Sequence, residues 1–333
     1  MTYLAIFLFV LLSAWLLAHL APRVGLMAEP GEHRAHQQAT PMVGGIAIFI
    51  GIVIGLLLFV PASLGMWPAM LLLVVVGVLD DRFTLNSVFR FAAQAVAAWL
   101  MIYFTGVELN NLGAIFTSND LWLGDWSMVL TIFATIGVIN AVNMSDGLDG
   151  LAGSLVLLVL LSLLALGSSQ REFILIVGAA VCGFLVWNLR VLRPRAAIFM
   201  GDAGSTLLGL ILAYLLIGGS QQPNNDFSPV TALWLLALPL IDTVAVLLVR
   251  PLRGQSPFSA DRFHYHHLLQ ARGLGVNQTL CLVLALQLII IVLAMAMSNA
   301  GVAQRYQMLI FLTCFAAYAV YLWRVSGRST EHP

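Results

Sequence analysis

The sequence predicts an all-α integral membrane protein that crosses the bilayer about eleven times. Hydrophobic residues make up 61% of the 333-residue chain, and charged residues make up only 9%. Soluble proteins carry about 25% charged residues, so this composition excludes the soluble globular class. The apolar residues also form long runs, and the basic residues lie almost entirely on one side of them.

Eleven apolar runs approach the length of about 20 residues that a helix needs to cross the hydrocarbon core. They lie at about 3–21, 43–60, 66–79, 88–106, 126–142, 150–166, 172–189, 204–219, 229–249, 278–297 and 305–324. The third run is short, and we expect protein and water to line one of its ends. The first run has no basic segment before it and no cleavage pattern after it, so we expect it to be retained as a membrane helix.

The arginines predict the orientation of these crossings. All fifteen basic residues are arginines, and with eleven crossings only Arg171 and Arg305 fall on one of the two sides. Basic residues accumulate in cytoplasmic loops. We therefore expect the N-terminus outside and the C-terminus in the cytoplasm.

With this orientation, nearly every unusual polar residue lies on the cytoplasmic side. We expect a single transmembrane catalytic domain over 1–333, because no soluble domain or linker is evident. Its active site would be formed by the cytoplasmic loops 22–42, 80–87, 143–149, 190–203 and 250–277.

The segment NAVNMSDGLDGLAG, residues 140–153, places polar groups between two apolar runs. Asn143, Asp146 and Asp149 recur at intervals of three, which would put them on one face of a helical turn. The glycines leave room for a ligand or a second helix to approach closely. We interpret the segment as a site for a cation and a phosphorylated ligand. A polar loop with packing glycines is the alternative.

Two adjacent acids, Asp80 and Asp81, end the third run. Adjacent carboxylates repel each other unless a cation or a donor lies between them, which favours a magnesium or general-base position over plain solvated flanks. Arg90 follows about one turn into an apolar helix, where an unpaired guanidinium would be costly. It requires a lipid phosphate, or else it snorkels to the membrane edge.

The segment FMGDAGS, residues 199–205, follows three arginines and opens an apolar run. Its backbone N–H groups could face an anion at a helix N-terminus, and Asp202 could hold a metal. It is not a Walker loop, because no lysine follows the second glycine.

The loop 250–277 carries three closely spaced histidines beside Arg262: His264, His266 and His267. No cysteine lies nearby and the spacing is not that of a closed zinc site. Imidazoles beside an arginine suit phosphate and sugar hydroxyl groups better. Asp242, inside the ninth run, is either a supporting partner of the site or a buried protonated acid that bonds a neighbouring helix.

Five motifs together resemble the polyprenyl-phosphate N-acetylhexosamine-1-phosphate transferase family, which is glycosyltransferase family 4. They are TPMVGG at 40–45, LDDRF at 79–83, NAVNMSDGLDGLAG at 140–153, FMGDAGS at 199–205 and SPFSADRFHYHH at 256–267. They run in the family's order from the first inner loop to the last. Tyr265 interrupts the histidine run typical of the branch with a UDP-MurNAc-pentapeptide donor, so the chain is most similar to the GlcNAc-type branch.

The resemblance implies roles for the metal and the acceptor. Asn143 and Asp202 would bind the Mg²⁺ that bridges the donor diphosphate, for which Mn²⁺ could substitute. Asp80 and Asp81 would orient or deprotonate the lipid phosphate, and Arg90 would hold that phosphate.

It also implies roles at the donor end. Asp146, Asp149 and Phe199 would hold the uridine. The diphosphate and the sugar would be held by Arg262, His264, His266 and His267. The family's basic residue in the first inner loop appears here among His33, Arg34 and His36, with no lysine present, and Arg34 is the candidate for substrate binding.

The implied reaction moves N-acetylglucosamine 1-phosphate from UDP-N-acetylglucosamine to undecaprenyl phosphate and releases UMP, the first membrane step of O-antigen and cell-surface polysaccharide synthesis. The expected location is the bacterial inner membrane, with membrane lipid but no nucleic acid as a partner and with a homodimer left open. Another UDP-N-acetylhexosamine, or UDP-MurNAc-pentapeptide, is an alternative donor. An ion-coupled transporter is the alternative from another class, although transporters place such acids near the bilayer midplane.

Overall fold

The computed structural model describes residues 2–29, 39–60, 65–191, 193–221, 223–256 and 263–328. This part of the chain is mostly helical. Its helices are α1 (Thr2–Val24), α2 (Gly44–Phe59), α3 (Trp67–Phe83), α4 (Ser87–Thr105), α5 (Ser127–Met144), α6 (Leu151–Ala165), α7 (Arg171–Asn188), α8 (Gly201–Ser220), α9 (Pro229–Leu235), α10 (Ala237–Val249), α11 (Tyr265–Ala271), α12 (Val276–Asn299) and α13 (Gln304–Arg328).

Each predicted apolar run coincides with a helix, apart from the ninth, which is divided into α9 and α10. Seven described helices are long and apolar enough to cross a membrane, and there are eight if the bent pair α9–α10 counts as one span. The chain is therefore a polytopic α-helical membrane protein. The number of eleven crossings and the sides of the termini stay predictions.

Helix α8 is the centre of the bundle, with 89% of its apolar span buried. Small residues let α2 and α3 approach it closely. A Cβ atom at Gly77 of α3 would lie 2.3 Å from Ala203 Cα, and one at Gly45 of α2 would lie 2.2 Å from Gly204 N. The first turn of α8 is thus held directly against α2 and α3.

A short two-stranded sheet extends this contact to the loop before α8. Strand β1 (Met27–Ala28) pairs antiparallel with β2 (Thr40–Pro41), with Met27 opposite Pro41. Phe199 N then donates to Pro41 O at 2.8 Å, and Gly44 N donates to Phe199 O at 2.9 Å. The TPMVGG segment therefore fixes the FMGD loop.

The bend between α9 and α10 measures 84°. Backbone groups freed by a bend inside a membrane protein must find partners within the protein. Gln287 of α12 supplies them: its Oε1 accepts from Leu238 N at 3.0 Å, and its Nε2 donates to Leu235 O at 3.0 Å. The bend is therefore stabilised by specific hydrogen bonds, and it sets the direction of α10.

Candidate active site

Asp81 binds the first turn of α8. Its Oδ1 accepts from Asp202 N at 2.9 Å and its Oδ2 lies 3.4 Å from Ala203 N. A carboxylate satisfies the free N–H groups at a helix N-terminus and is stabilised by the helix dipole. Gly201 precedes this turn with φ +70°, and a Cβ atom there would lie 2.4 Å from Asp81 Oδ2. The glycine is needed both for its backbone angle and for space.

Asp80 pairs with Arg90 across the turn between α3 and α4. Arg90 Nη1 donates to Asp80 Oδ2 at 3.0 Å, and Leu85 N donates to Asp80 Oδ1 at 2.7 Å. Asp80 is 6% exposed, whereas the Arg90 side chain is 41% exposed. The carboxylate is thus satisfied within the protein, while part of the guanidinium still faces outward.

Asn143 at the end of α5 joins Asp202 directly. Its Nδ2 donates to Asp202 Oδ1 at 2.6 Å and to Ser205 Oγ at 2.8 Å. Asp202 also lies beside Asp80. The ends of α3, α5 and α8 therefore bring three acids and one amide to the same end of the bundle.

The expectation of one helical face for the 143–149 segment is wrong. Helix α5 ends at Met144, and turns lead to α6, which begins at Leu151. Gly150, the residue just before α6, takes φ +82°, a left-handed conformation that lies outside regular helix. As a result Asn143, Asp146 and Asp149 have different surroundings.

Asp146 faces the acid cluster. Burial raises its pKa well above the usual value, and repulsion from Asp202, Asp81 and Asp149 raises it further. Several carboxylates therefore share one region, and a bound cation would relieve their repulsion.

Asp149 accepts hydrogen bonds from two residues of the loop before α8. Its Oδ2 accepts from Arg190 Nε at 2.6 Å and from Ala196 N at 3.0 Å. Asn188 adds two bonds that the sequence gave no reason to expect, from Gly150 N to its Oδ1 and from its Nδ2 to Ile198 O. The sequence offered one sign of this role: Asn188 is a polar residue at the end of an apolar run. These contacts fix the loop that carries Phe199.

The histidines reach the same region through α11. His266 is 1% exposed and lies against Gly147, where a Cβ atom would come within 2.4 Å of its Nε2. Neither ring nitrogen of His266 has a hydrogen-bond partner among the described residues. Burial lowers the pKa of His266 well below its usual value, as do its neighbours His267 and His264. A neutral imidazole with unused polar atoms therefore lies beside the aspartate turn.

A cleft between α3, α4, α5 and α8 opens beside these groups. Its polar wall contains Asp80, Arg90, Asn143 and Asp202. Its apolar wall includes Leu73, Val76, Phe91 and Met144. Such a cleft suits a ligand with an anionic head and an apolar tail.

The residues of the cleft suit Mg²⁺, which substrate phosphates help to hold, better than a metal ion that is bound by protein side chains alone. Within the described ranges, no three His, Cys, Asp or Glu side chains are grouped so that they could hold a metal ion. Mg²⁺ usually keeps several waters and is held by one or two carboxylates together with substrate phosphates. Asn143 and Asp202 supply one amide and one carboxylate in direct contact, which suits a magnesium diphosphate.

The structure thus places Asp80, Asp81, Arg90, Asn143, Asp146, Asp202 and His266 in one region, while Asp149 and Phe199 support its border. The roles assigned to these residues stay predictions. Arg34 and Arg262 lie outside the described residues.

Comparison with known proteins gives consistent matches. The sequence model of glycosyl transferase family 4 matches residues 63–220. An undecaprenyl-phosphate alpha-N-acetylglucosaminyl 1-phosphate transferase of Salmonella typhi is 36% identical over 283 residues, which cover 83% of this chain and 77% of the relative. The protein of the same name from Escherichia coli K12 is 35% identical over the same shares. That of Yersinia pestis is 34% identical over 96% of this chain and 91% of its own.

Proposed function

Because the chain belongs to glycosyl transferase family 4, we propose that it is an enzyme that transfers N-acetylglucosamine 1-phosphate from UDP-N-acetylglucosamine to undecaprenyl phosphate. The products are undecaprenyl-diphospho-N-acetylglucosamine and UMP. The names of relatives that are 34% to 36% identical over most of the chain support the substrates and the reaction. The observation that carries the proposal is the position of Asp202, where the acid cluster meets the cleft.

The acceptor phosphate would bind at the polar end of that cleft. Arg90 is oriented by its bond to Asp80 and retains exposed N–H donors for a phosphate. The apolar wall would hold the first isoprene units, and the rest of the chain would lie in the bilayer. Asp80 would therefore orient the Arg90 guanidinium and also lie beside the reacting phosphate.

Magnesium would be held by Asn143 and Asp202 together with the donor diphosphate. When bound, the ion neutralises charge that develops as UMP departs. Asp81 fixes the backbone of Asp202, so the protein's contribution is a prearranged position for the metal.

The nucleotide would bind on the side of the aspartate turn and the FMGD loop. Asp146 and His266 border this side, and Asp149 holds the loop of Phe199 through Ala196. His266, neutral and without a partner in the described chain, is suited to bond a phosphate or a sugar hydroxyl group.

In the direct reaction, an oxygen of the lipid phosphate forms a bond to the β-phosphorus while the bond from that phosphorus to the UMP oxygen breaks. In the two-step route, a carboxylate oxygen of the enzyme first forms a bond to the β-phosphorus as UMP leaves. An oxygen of the lipid phosphate then forms a bond to the same phosphorus as its bond to the carboxylate breaks. Asp80→Asn and Asp81→Asn, assayed separately without acceptor, distinguish the routes. UMP release by the wild-type enzyme that one of these variants abolishes supports the two-step route, and no release supports the direct route.

The function is tested with purified protein, radiolabelled UDP-N-acetylglucosamine and undecaprenyl phosphate. The expected result is a labelled product that partitions into organic solvent, together with stoichiometric UMP. Competition by other UDP-N-acetylhexosamines and by UDP-MurNAc-pentapeptide identifies the donor. Uptake of label into vesicles without lipid-linked product would instead indicate a transporter.

The site would face the cytoplasm of a bacterial inner membrane. The one-sided arginines of the sequence support this orientation. UDP-N-acetylglucosamine would then reach the site from the cytoplasm, and undecaprenyl phosphate would reach it from the inner leaflet.

A further inference from the structure

A carboxylate outside the acid cluster binds the histidine segment. Asp242 lies on α10 and is 3% exposed. Its Oδ2 accepts from His264 Nδ1 at 2.6 Å, and its Oδ1 accepts from Tyr265 N at 3.1 Å. Tyr318 of α13 donates its hydroxyl to Oδ1 as well. Three donors from two parts of the chain, the histidine segment and α13, therefore converge on one buried acid.

These bonds fix the first residues of α11. The bond to Tyr265 N satisfies one of the N–H groups that are free at a helix N-terminus, and the bond to His264 orients the ring just before it. Because Asp242 lies on α10 and is bonded to Tyr318 of α13, the start of α11 is tied to both of these helices.

A second contact ties α11 to the aspartate turn. The Ser145 hydroxyl donates to Ala141 O at 2.8 Å, so its single proton is used. The Tyr265 hydroxyl, 3.3 Å away, must then be the donor to Ser145 Oγ. Tyr265 thus links the histidine segment to the segment that carries Asp146.

The ring of His264 is connected to the candidate active site through its contact with His266. His264 and His266 stack with centroids 5.9 Å apart and an interplanar angle of 8°. His266 in turn lies against Gly147. A change in the orientation of His264 would therefore displace the imidazole beside the aspartate turn.

We propose that Asp242 is a positioning residue of the transfer reaction, which orients His264 and thereby holds His266 against the Gly147 turn. The inference rests on the proposed function. Asp242 touches no reacting atom and acts through the two histidines.

Asp242→Asn tests the proposal with little change of shape. The amide can still accept from Tyr265 N and Tyr318, but the group that faces His264 becomes a donor. His264 must then carry its proton on Nε2 instead of Nδ1. We expect the transfer rate to fall on the order of 10- to 100-fold, as when other residues that orient an active-site group are replaced.

Thr243→Val is the matched control. Thr243 is the next residue, is 2% exposed, and its hydroxyl has no hydrogen-bond partner in the described part of the chain. This variant should retain activity within about twofold, since isosteric changes without a lost bond cost little.

Two readouts separate positioning from a general loss of stability. Nitrogen NMR of histidine-labelled protein, with His264→Asn to assign the signal, should show Nδ1 of His264 protonated in the wild type and unprotonated in Asp242→Asn. The double variant Asp242→Asn/His264→Asn should be no slower than His264→Asn alone within about twofold, because residues that act through each other are not additive.

An unchanged protonation of His264, or rate losses that multiply in the double variant, would overturn the proposal. Full activity of Asp242→Asn would do the same. If the wild type formed no lipid-linked product, the proposed function would fail, while the NMR comparison would still test the link between Asp242 and His264.

Discussion

Asp146 and Asp149 lie three residues apart, and their carboxylates are in opposite electrostatic surroundings. Asp146 is desolvated by burial and faces the acids Asp202, Asp81 and Asp149. Asp149 accepts two hydrogen bonds, one of them from a guanidinium. The surroundings of Asp146 therefore lower the stability of the folded state, whereas the hydrogen bonds of Asp149 raise it. Perturbed acids of the first kind are common at functional sites.

The same substitution should therefore change stability in opposite directions. Because the folded state raises the pKa of Asp146, it binds a proton that the unfolded chain releases near pH 4. The stability linked to that proton is present below this pH and is lost as the pH rises through the folded-state pKa. Asp146→Asn should remove this loss and raise the unfolding temperature at pH 7.5 without divalent cations, while transfer activity falls.

Asp149→Asn should lower the unfolding temperature under the same conditions. It removes a charged partner from Arg190, which we expect to cost about 2 kcal/mol. Thermal unfolding of both variants in detergent between pH 4.5 and 8 measures the difference. Equal shifts of the same sign would contradict the assigned surroundings.

Asp202 gives a prediction for magnesium. Asp202→Asn should abolish the saturable dependence of transfer on Mg²⁺ at millimolar concentrations and lower the rate by at least about 100-fold, since it removes the one carboxylate proposed as a ligand. Asp226→Asn is the control, because Asp226 is bonded to Ser169 elsewhere in the fold. Its Mg²⁺ dependence should equal that of the wild type. An unaltered Mg²⁺ titration for Asp202→Asn would remove Asp202 from the metal site.

At the scale of elements, the start of α8 decides the geometry of the site. Asp81 binds its first N–H groups, Gly201 provides the turn, and Gly45 and Gly77 let α2 and α3 approach. The sequence predicted a helix N-terminus at FMGDAGS. It gave no means of predicting that an acid from α3, 121 residues away in the chain, would occupy it.

Gly201→Ala should therefore lower transfer activity by more than the backbone strain of an alanine at positive φ can account for. Alanine at a positive φ costs about 1 kcal/mol, and here its Cβ would also displace Asp81. Gly106→Ala is the matched control, because Gly106 has φ +68° and no atom within 4 Å of the added Cβ.

Both alanine variants should lose about 1 kcal/mol of stability or more from the strained backbone, and only Gly201→Ala should lose most of its transfer activity. Unfolding and transfer assays on the same preparations measure this. Equal activity of the two variants would show that the position of Asp81 is not critical.

At the scale of the whole molecule, the acids proposed to face the substrates and the metal lie at one end of the bundle and not halfway along the long helices. The end of α3, the turn after α5 and the start of α8 supply them. This arrangement favours chemistry at a membrane surface over passage through the membrane. Exposed apolar side chains cover the outer faces of α1, α4, α12 and α13, as expected for contact with lipid.

The orientation can be tested with single cysteines. After replacement of Cys182, Cys281 and Cys314, we would introduce Ser118→Cys or Gln255→Cys, both at exposed positions outside the long helices. A membrane-impermeant maleimide should label position 118 in intact cells and position 255 only after permeabilisation. The reverse pattern would place the site outside the cytoplasm.

The sequence by itself determined the helical membrane class, the apolar segments and the acids, because hydrophobic runs and isolated polar residues are local properties of the chain. The motifs also identified the family and most of the residues around Asp202. Tertiary structure alone decided which partner each polar group has: Asp81 binds α8, Asp149 binds Arg190, and Asp242 binds the histidine segment. Such pairings depend on how closely distant helices approach and where turns end them, and both arise from packing across the whole bundle rather than from any one stretch of chain.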